Sequence, residues 1–93
     1  KLLWTERALA EIDEIFAYVA ADSPMAAERL ALLIETKALL LIDQPSMGRP
    51  GRVDGTREFV VTGTPYILPY RVRDGRVEIL AVLHASRQWP DQL

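Results

Sequence analysis

Cysteine is absent from all 93 residues, which excludes disulfide scaffolds, thiolate zinc sites and cysteine nucleophiles together. A single histidine, His84, is too little imidazole for a metal centre unless carboxylates supply every other ligand. No metal and no cofactor are expected. No apolar run approaches the ~18 residues of a membrane span. Leu2-Leu3-Trp4 is too short for the apolar core of a signal peptide. These absences point to a cytoplasmic protein without membrane contact. Phosphate-cradling loops are missing too, since Gly48 and Gly51 lack the Walker spacing and the Lys-Ser/Thr that follows it. Ser23, Ser46 and Ser86 lack the Gly-x-Ser-x-Gly context of a nucleophile elbow. No small-molecule substrate is indicated.

Lysine is absent beyond Lys37, and that gap exposes the main feature of the charge pattern. The total is only −2, which opposes a generally basic nucleic-acid binder. Residues 1–47 carry four Lys/Arg against eight Asp/Glu, whereas residues 48–93 carry seven Arg against five Asp/Glu. One half is acidic and the other is studded with arginine. Arginine binds carboxylate and phosphate through a planar fork, whereas solvated faces commonly mix in lysine.

Hydrophobic periodicity divides the single domain, residues 1–93, into elements. Leu2 to Trp4 reads as a short strand ending at Thr5, an N-cap with Glu6 in the first turn. Ala8, Ile12, Ile15, Phe16 and Val19 then recur at helical spacing, predicting an amphipathic helix to about Ala21. Ser23 caps a second helix with Pro24 in its first turn, running to about Asp43 before Pro45. So short a connection predicts an antiparallel helical hairpin. Ala27, Leu30, Ile34, Ala38 and Leu41 share the buried face of the second helix. Met25, Leu32 and Leu39, spaced by seven, fall on the opposite side among Glu28, Glu35 and Asp43. Either the protein covers that stripe itself or it docks a partner helix.

The stretch from Pro45 to Thr56 holds three Gly and two Pro and reads as an exposed, irregular loop. Three strands follow, over Arg57 to Thr62, Pro65 to Arg73 and Arg76 to Leu83, with Asp74-Gly75 as a hairpin turn. That turn sets Arg71 opposite Glu78 and Tyr70 opposite Ile79. One face then collects Phe59, Val61, Tyr66, Leu68, Tyr70, Val72, Val77, Ile79, Ala81 and Leu83, and packs on the helices. The other collects Glu58, Val60, Ile67, Pro69, Arg71, Glu78, Leu80, Val82 and His84, and reads as a surface or interface. Pro69 removes a ladder donor, so a bulge or an edge is expected there. The fold class is α+β: an N-terminal strand and an antiparallel helical hairpin packed on a small, mostly antiparallel sheet.

Chemistry concentrates in the arginines of that second half. Arg49 and Arg52 in the loop, Arg57, Arg71 and Arg87, with His84 and Trp89, form the candidate target-binding set. Each has a plainer reading. Arg71 is placed to pair with Glu78 across the hairpin, and a lone strand-end histidine serves structure as readily as catalysis.

The order of elements, together with the words Leu3-Trp4-Thr5, Gly48-Arg49-Pro50-Gly51-Arg52, Gly55-Thr56-Arg57-Glu58, Tyr66 to Val72 and Val77-Glu78-Ile79-Leu80 into Val82-Leu83-His84, resembles the RelE/ParE superfamily. These are the toxins of bacterial type II toxin–antitoxin modules. The resemblance implies a cytoplasmic growth inhibitor neutralised by a cognate antitoxin, with Met25, Leu32 and Leu39 as its docking stripe. It leaves two kinds of target. RelE-like members are ribosome-dependent mRNA endonucleases, for which Arg71, Glu78 and His84 would be the catalytic candidates. ParE-like members poison DNA gyrase by binding. Ribonuclease members typically carry Arg-Leu-Val-Tyr in the central strand, where this chain has Ile67-Leu68-Pro69-Tyr70. Arg71 would replace that cation only if the substrate moved by more than about 10 Å along the strand. The chain therefore reads as closer to ParE-like members, with a ribosome-dependent ribonuclease or a non-toxic binding module as alternatives.

Overall fold

Thr5 joins the two layers of the fold. In the computed structural model, which describes residues 1–93, its hydroxyl accepts from the Ala8 amide at 3.1 Å and caps α1 (Glu6–Ala20). The same hydroxyl donates to the Leu80 carbonyl at 3.1 Å. Leu80 stands beside Pro69, and its amide donates to the Pro69 carbonyl at 2.8 Å. Pro69 has no amide with which to complete the pair. The proline therefore sits buried in the middle of the central strand because a threonine supplies the donor that it lacks.

The helical layer follows the periodicity. Ser23 caps α2 (Pro24–Ala38) through the Ala26 amide, with Pro24 at its start. The expected single helix to Asp43 is two pieces, because α2 stops at Ala38 and a four-residue α3 (Leu40–Asp43) follows. Ala27, Ile34, Ala38 and Leu41 are buried, and Leu30 is partly so.

The sheet contains β1 (Leu2–Trp4), β2 (Arg49–Pro50), β3 (Arg57–Val60), β4 (Tyr66–Arg73), β5 (Arg76–Ile79) and β6 (Leu83–His84). Its order is β1-β5-β4-β3-β2, with β6 paired to β4. β1 runs parallel to β5 and every other pairing is antiparallel. The expected register holds, with Tyr70 opposite Ile79, Arg71 opposite Glu78 and Phe59 opposite Leu68. Asp74 and Gly75 both take positive φ, as a tight two-residue hairpin requires. The core joins Ala8, Ile12, Ile34, Ala38 and Leu41 from the helices to Phe59, Val61, Leu68, Tyr70, Val77, Ile79 and Val82 from the sheet side.

Four expectations are corrected. The loop after Pro45 is not wholly irregular or exposed. Arg49–Pro50 makes an edge strand, and Gly48 is buried, donating its amide to the Tyr70 hydroxyl at 2.9 Å. Tyr70 in turn donates to the Pro45 carbonyl at 2.6 Å, so one buried phenol anchors both ends of the loop's first turn. Val72 is half-exposed rather than in the core, because it stands near the hairpin tip. The third strand breaks after Ile79, and the Val82 amide turns to the Glu11 carboxylate at 2.9 Å. The alternation expected through Leu83 is thereby lost: Val82 joins the core, while Leu83 stays partly exposed. Finally, most of the second face lies beneath a layer of arginine side chains rather than facing solvent directly. Glu58, Ile67, Pro69, Glu78 and Leu80 on it are all buried. Arginine stems lie along this face, and the C-terminal segment returns to it at Trp89.

Candidate partner-binding surface

Two buried carboxylates organise the arginines. Glu58, on β3, is 4% exposed. One of its oxygens accepts from Arg49 Nε and Nη2 at 3.2 and 3.0 Å. The other accepts from the Arg52 backbone amide at 2.9 Å and from Arg52 Nε at 3.2 Å. Burial pushes the Glu58 carboxyl up, but the Arg52 amide and the two guanidinium groups outweigh it and hold the group below the usual carboxylate range. Glu78, on β5, accepts from Arg71 Nε at 2.6 Å, and Arg73 Nη2 lies at 3.6 Å. The Arg71 hydrogen bond is the main reason that the Glu78 carboxyl also titrates low, with the charges of Arg73, Arg71 and Arg76 adding to it.

Arg57 is used differently. Its Nη1 donates to the Gly48 carbonyl at 2.6 Å and ties β3 to the turn before β2. Arg52 lies over the Trp89 ring at 3.5 Å, a cation–π contact joining the loop to the C-terminal segment. Trp89 Nε1 donates to the His84 carbonyl at 3.2 Å. The His84 ring meets Tyr66 edge-on, with centroids 5.4 Å apart, and its Nδ1 accepts from the Ser86 amide. Arg87 is exposed. Apart from His84 and Arg87, which stand with Trp89 at the C-terminal segment, the candidate target-binding residues fall into three groups. Arg49, Arg52 and Trp89 form one chain of contacts with Glu58, Arg71 pairs with Glu78, and Arg57 belongs to the loop.

His84, Arg87 and Trp89 also line a cleft of about 580 Å³ whose opposite wall is Glu11, Glu14, Ile15 and Tyr18 of α1. Sequence reasoning did not find this cleft, since some seventy residues separate its walls and no local signal joins them. Away from it, Met25, Leu32 and Leu39 are 64%, 65% and 54% exposed. The protein does not cover that stripe itself. No three His, Cys, Asp or Glu side chains converge as a metal site would require.

Residues 2–89 match the family model of the ParE toxin of the type II toxin–antitoxin system, parDE. The chain belongs to that toxin family. It is 50% identical over 94 residues to a Sinorhizobium fredii protein named "Putative toxin Y4kP", covering 100% of this chain and 96% of that one. It is also 41% identical over 87 residues to Toxin RelE2 of Caulobacter vibrioides, covering 94% and 97% respectively. Among solved structures it is similar to a chain of the chromosomal ParDE TA system from P. aeruginosa. There the TM-score is 0.83 at 28% identity, over 92% of this chain and 96% of that chain. The relatives bear both ParE and RelE names, so the toxin class is shown at the level of the superfamily. No helix of the toxin is long and apolar enough to cross a membrane.

Proposed function

We propose that the toxin is neutralised by a cognate antitoxin and inhibits growth by ParE-like binding to DNA gyrase rather than by cleaving mRNA. The observation that carries this reading is the Arg71–Glu78 pair. A ribonuclease using Arg71 as its phosphate-binding cation would need its neighbouring carboxyl, Glu78, to exchange protons near neutrality. Arg71 keeps its Nη donors, but its Nε bond to Glu78 drives that carboxyl away from neutral pH and so removes the proton-transfer partner. At the central-strand position where ribonuclease members carry arginine, Ile67 is only 5% exposed.

On this reading Arg49, Arg52, Arg71, His84, Arg87 and Trp89 contact the target, with Arg57 holding the loop that presents the first two. The antitoxin contributes an amphipathic helix to the Met25/Leu32/Leu39 stripe. Glu28 and Glu35 beside that stripe suit basic residues on the incoming helix.

Purified toxin should suppress gyrase supercoiling and accumulate cleaved DNA, while leaving message intact in an in vitro translation reaction. Codon-position cleavage of mRNA, lost in Arg71→Ala, would replace this reading with the ribonuclease one. Harmless strong expression without antitoxin would replace both with a non-toxic binding module.

A further inference from the structure

The two buried glutamates do more than neutralise charge. Arg49 binds Glu58 through Nε and Nη2, which leaves Nη1 without an acceptor within the protein. Arg52 uses its backbone amide and Nε on Glu58 and rests its plane on Trp89, which leaves both Nη groups free. Arg71 uses Nε on Glu78 and likewise keeps both Nη groups. These guanidinium groups are held by their inner edges with their outer edges unspent, and their side chains are 53%, 52% and 37% exposed. Arg73 stands beside them, 55% exposed and 3.6 Å from Glu78. With Arg76, which pairs with Arg73 across the hairpin, five arginines against two carboxylates leave a net +3 on this face, in a toxin whose total is −2. Fixing the side chains in advance removes much of the ordering cost that long cations meet on binding.

We propose that this arginine face is a preorganised receptor for an acidic, extended peptide segment of a protein partner. This rests on the reading above that the face meets a protein, and it specifies the chemistry of that partner. Glu58 and Glu78 lie two strands apart and one same-face step out of line, opposite Pro69 and Arg71 of β4, a separation of roughly 12 Å from strand spacing and rise. Carboxylates at positions i and i+4 of an extended chain span roughly 13 Å. Each would meet one guanidinium cluster through its free Nη donors.

Peptide is favoured over nucleic acid on two grounds. Single-stranded nucleic acid gains much of its affinity from bases stacked on aromatic rings, but Arg52 already occupies one face of Trp89. A long polyanion would also meet the acidic half, where residues 1–47 carry a net −4.

Fluorescence anisotropy of the labelled peptide Glu-Asp-Val-Thr-Glu-Asp tests the proposal, with Gln-Asn-Val-Thr-Gln-Asn and a ten-nucleotide oligo-dT as controls. The acidic peptide should bind at least tenfold more tightly than either control. Its affinity should fall at least tenfold in Arg49→Gln/Arg73→Gln, and severalfold in Arg49→Lys/Arg73→Lys, which keeps the charge but loses the fork. Equal binding of the amide peptide, tighter binding of oligo-dT, or unchanged affinity in the folded Gln variant would overturn it. Should the variants fail to fold, the arginine Nε–Hε resonances of unaltered toxin serve instead. Peptide-induced shifts must centre on Arg49, Arg52, Arg71 and Arg73, and shifts confined to α2 would overturn the assignment. Gyrase takes no part in these measurements, so failure here and failure of the target assay are separate results.

Discussion

Replacing Glu58 by glutamine isolates the contribution of one buried charge. In the native state its two oxygens accept four hydrogen bonds, three from guanidinium nitrogens and one from a main-chain amide. Glutamine keeps one carbonyl oxygen and turns an NH2 donor towards the partners of the other oxygen. Both arginines lie at the edge of the sheet with side chains about half exposed, so solvent screens their share of the loss. Hydrogen bonds to a charged group contribute about 1.5–3 kcal/mol each, and a broken buried pair costs about 3–5 kcal/mol. With screening and relaxation, a net loss of about 2–3 kcal/mol is expected. At roughly 4–8 °C per kcal/mol for a domain of this size, Tm should drop by about 10–20 °C. Circular-dichroism melts at pH 7 measure this directly. The carboxyl titrates below its unfolded value, so its stabilisation is complete at neutral pH and declines as pH falls through about 4.3 and below. The gap between wild type and variant should therefore close in acid. A drop of under about 3 °C at pH 7, or a gap that widens in acid, would refute the reasoning.

The remaining predictions concern the loop and the docking stripe. A Cβ added in Gly48→Ala would stand 2.6 Å from Tyr70 Cε1 and 2.9 Å from the Glu58 carbonyl oxygen, so Tm should fall further than in any variant of an exposed residue. Tyr70→Phe removes the phenol between the Pro45 carbonyl and the buried Gly48 amide; urea denaturation should register a loss of about 1–3 kcal/mol. Leu32→Glu/Leu39→Glu alters only exposed side chains and should leave stability within about 1 kcal/mol. Antitoxin affinity, measured calorimetrically, should nonetheless fall at least tenfold, and unchanged affinity would remove the stripe from the interface.

The parts of the molecule legible from sequence are those governed by local rules. Thr5 and Ser23 cap their helices as their positions indicate. Asp74-Gly75 sets a register that places Arg71 against Glu78. The exposure of Met25, Leu32 and Leu39 follows from a seven-residue repeat opposite a buried face, although sequence alone left open whether the protein covered it. The second sheet face, expected to be a surface or interface, is largely covered, because alternation reports which side a residue takes, not what returns to cover that side. Ile67 and Leu80 read as surface positions and are buried. The cleft between α1 and the C-terminal segment left no signal, since Glu11 and Trp89 meet only when the chain closes.

What the sequence determined by itself is therefore the set of elements, their order, the pairing register and the arginine-rich character of one half. Each depends on interactions over a few residues or on a periodicity that any reader of the chain can count. Only the tertiary structure decided which arginines are occupied and by what. Arg49 and Arg52 converge on one carboxylate, Arg71 and Arg73 gather about another, and Arg57 turns to the main chain. A guanidinium and its acceptor meet through strand packing and loop closure, and neither leaves a trace in sequence spacing. Composition counts seven arginines in that half; the fold decides how many of their donors still face outward.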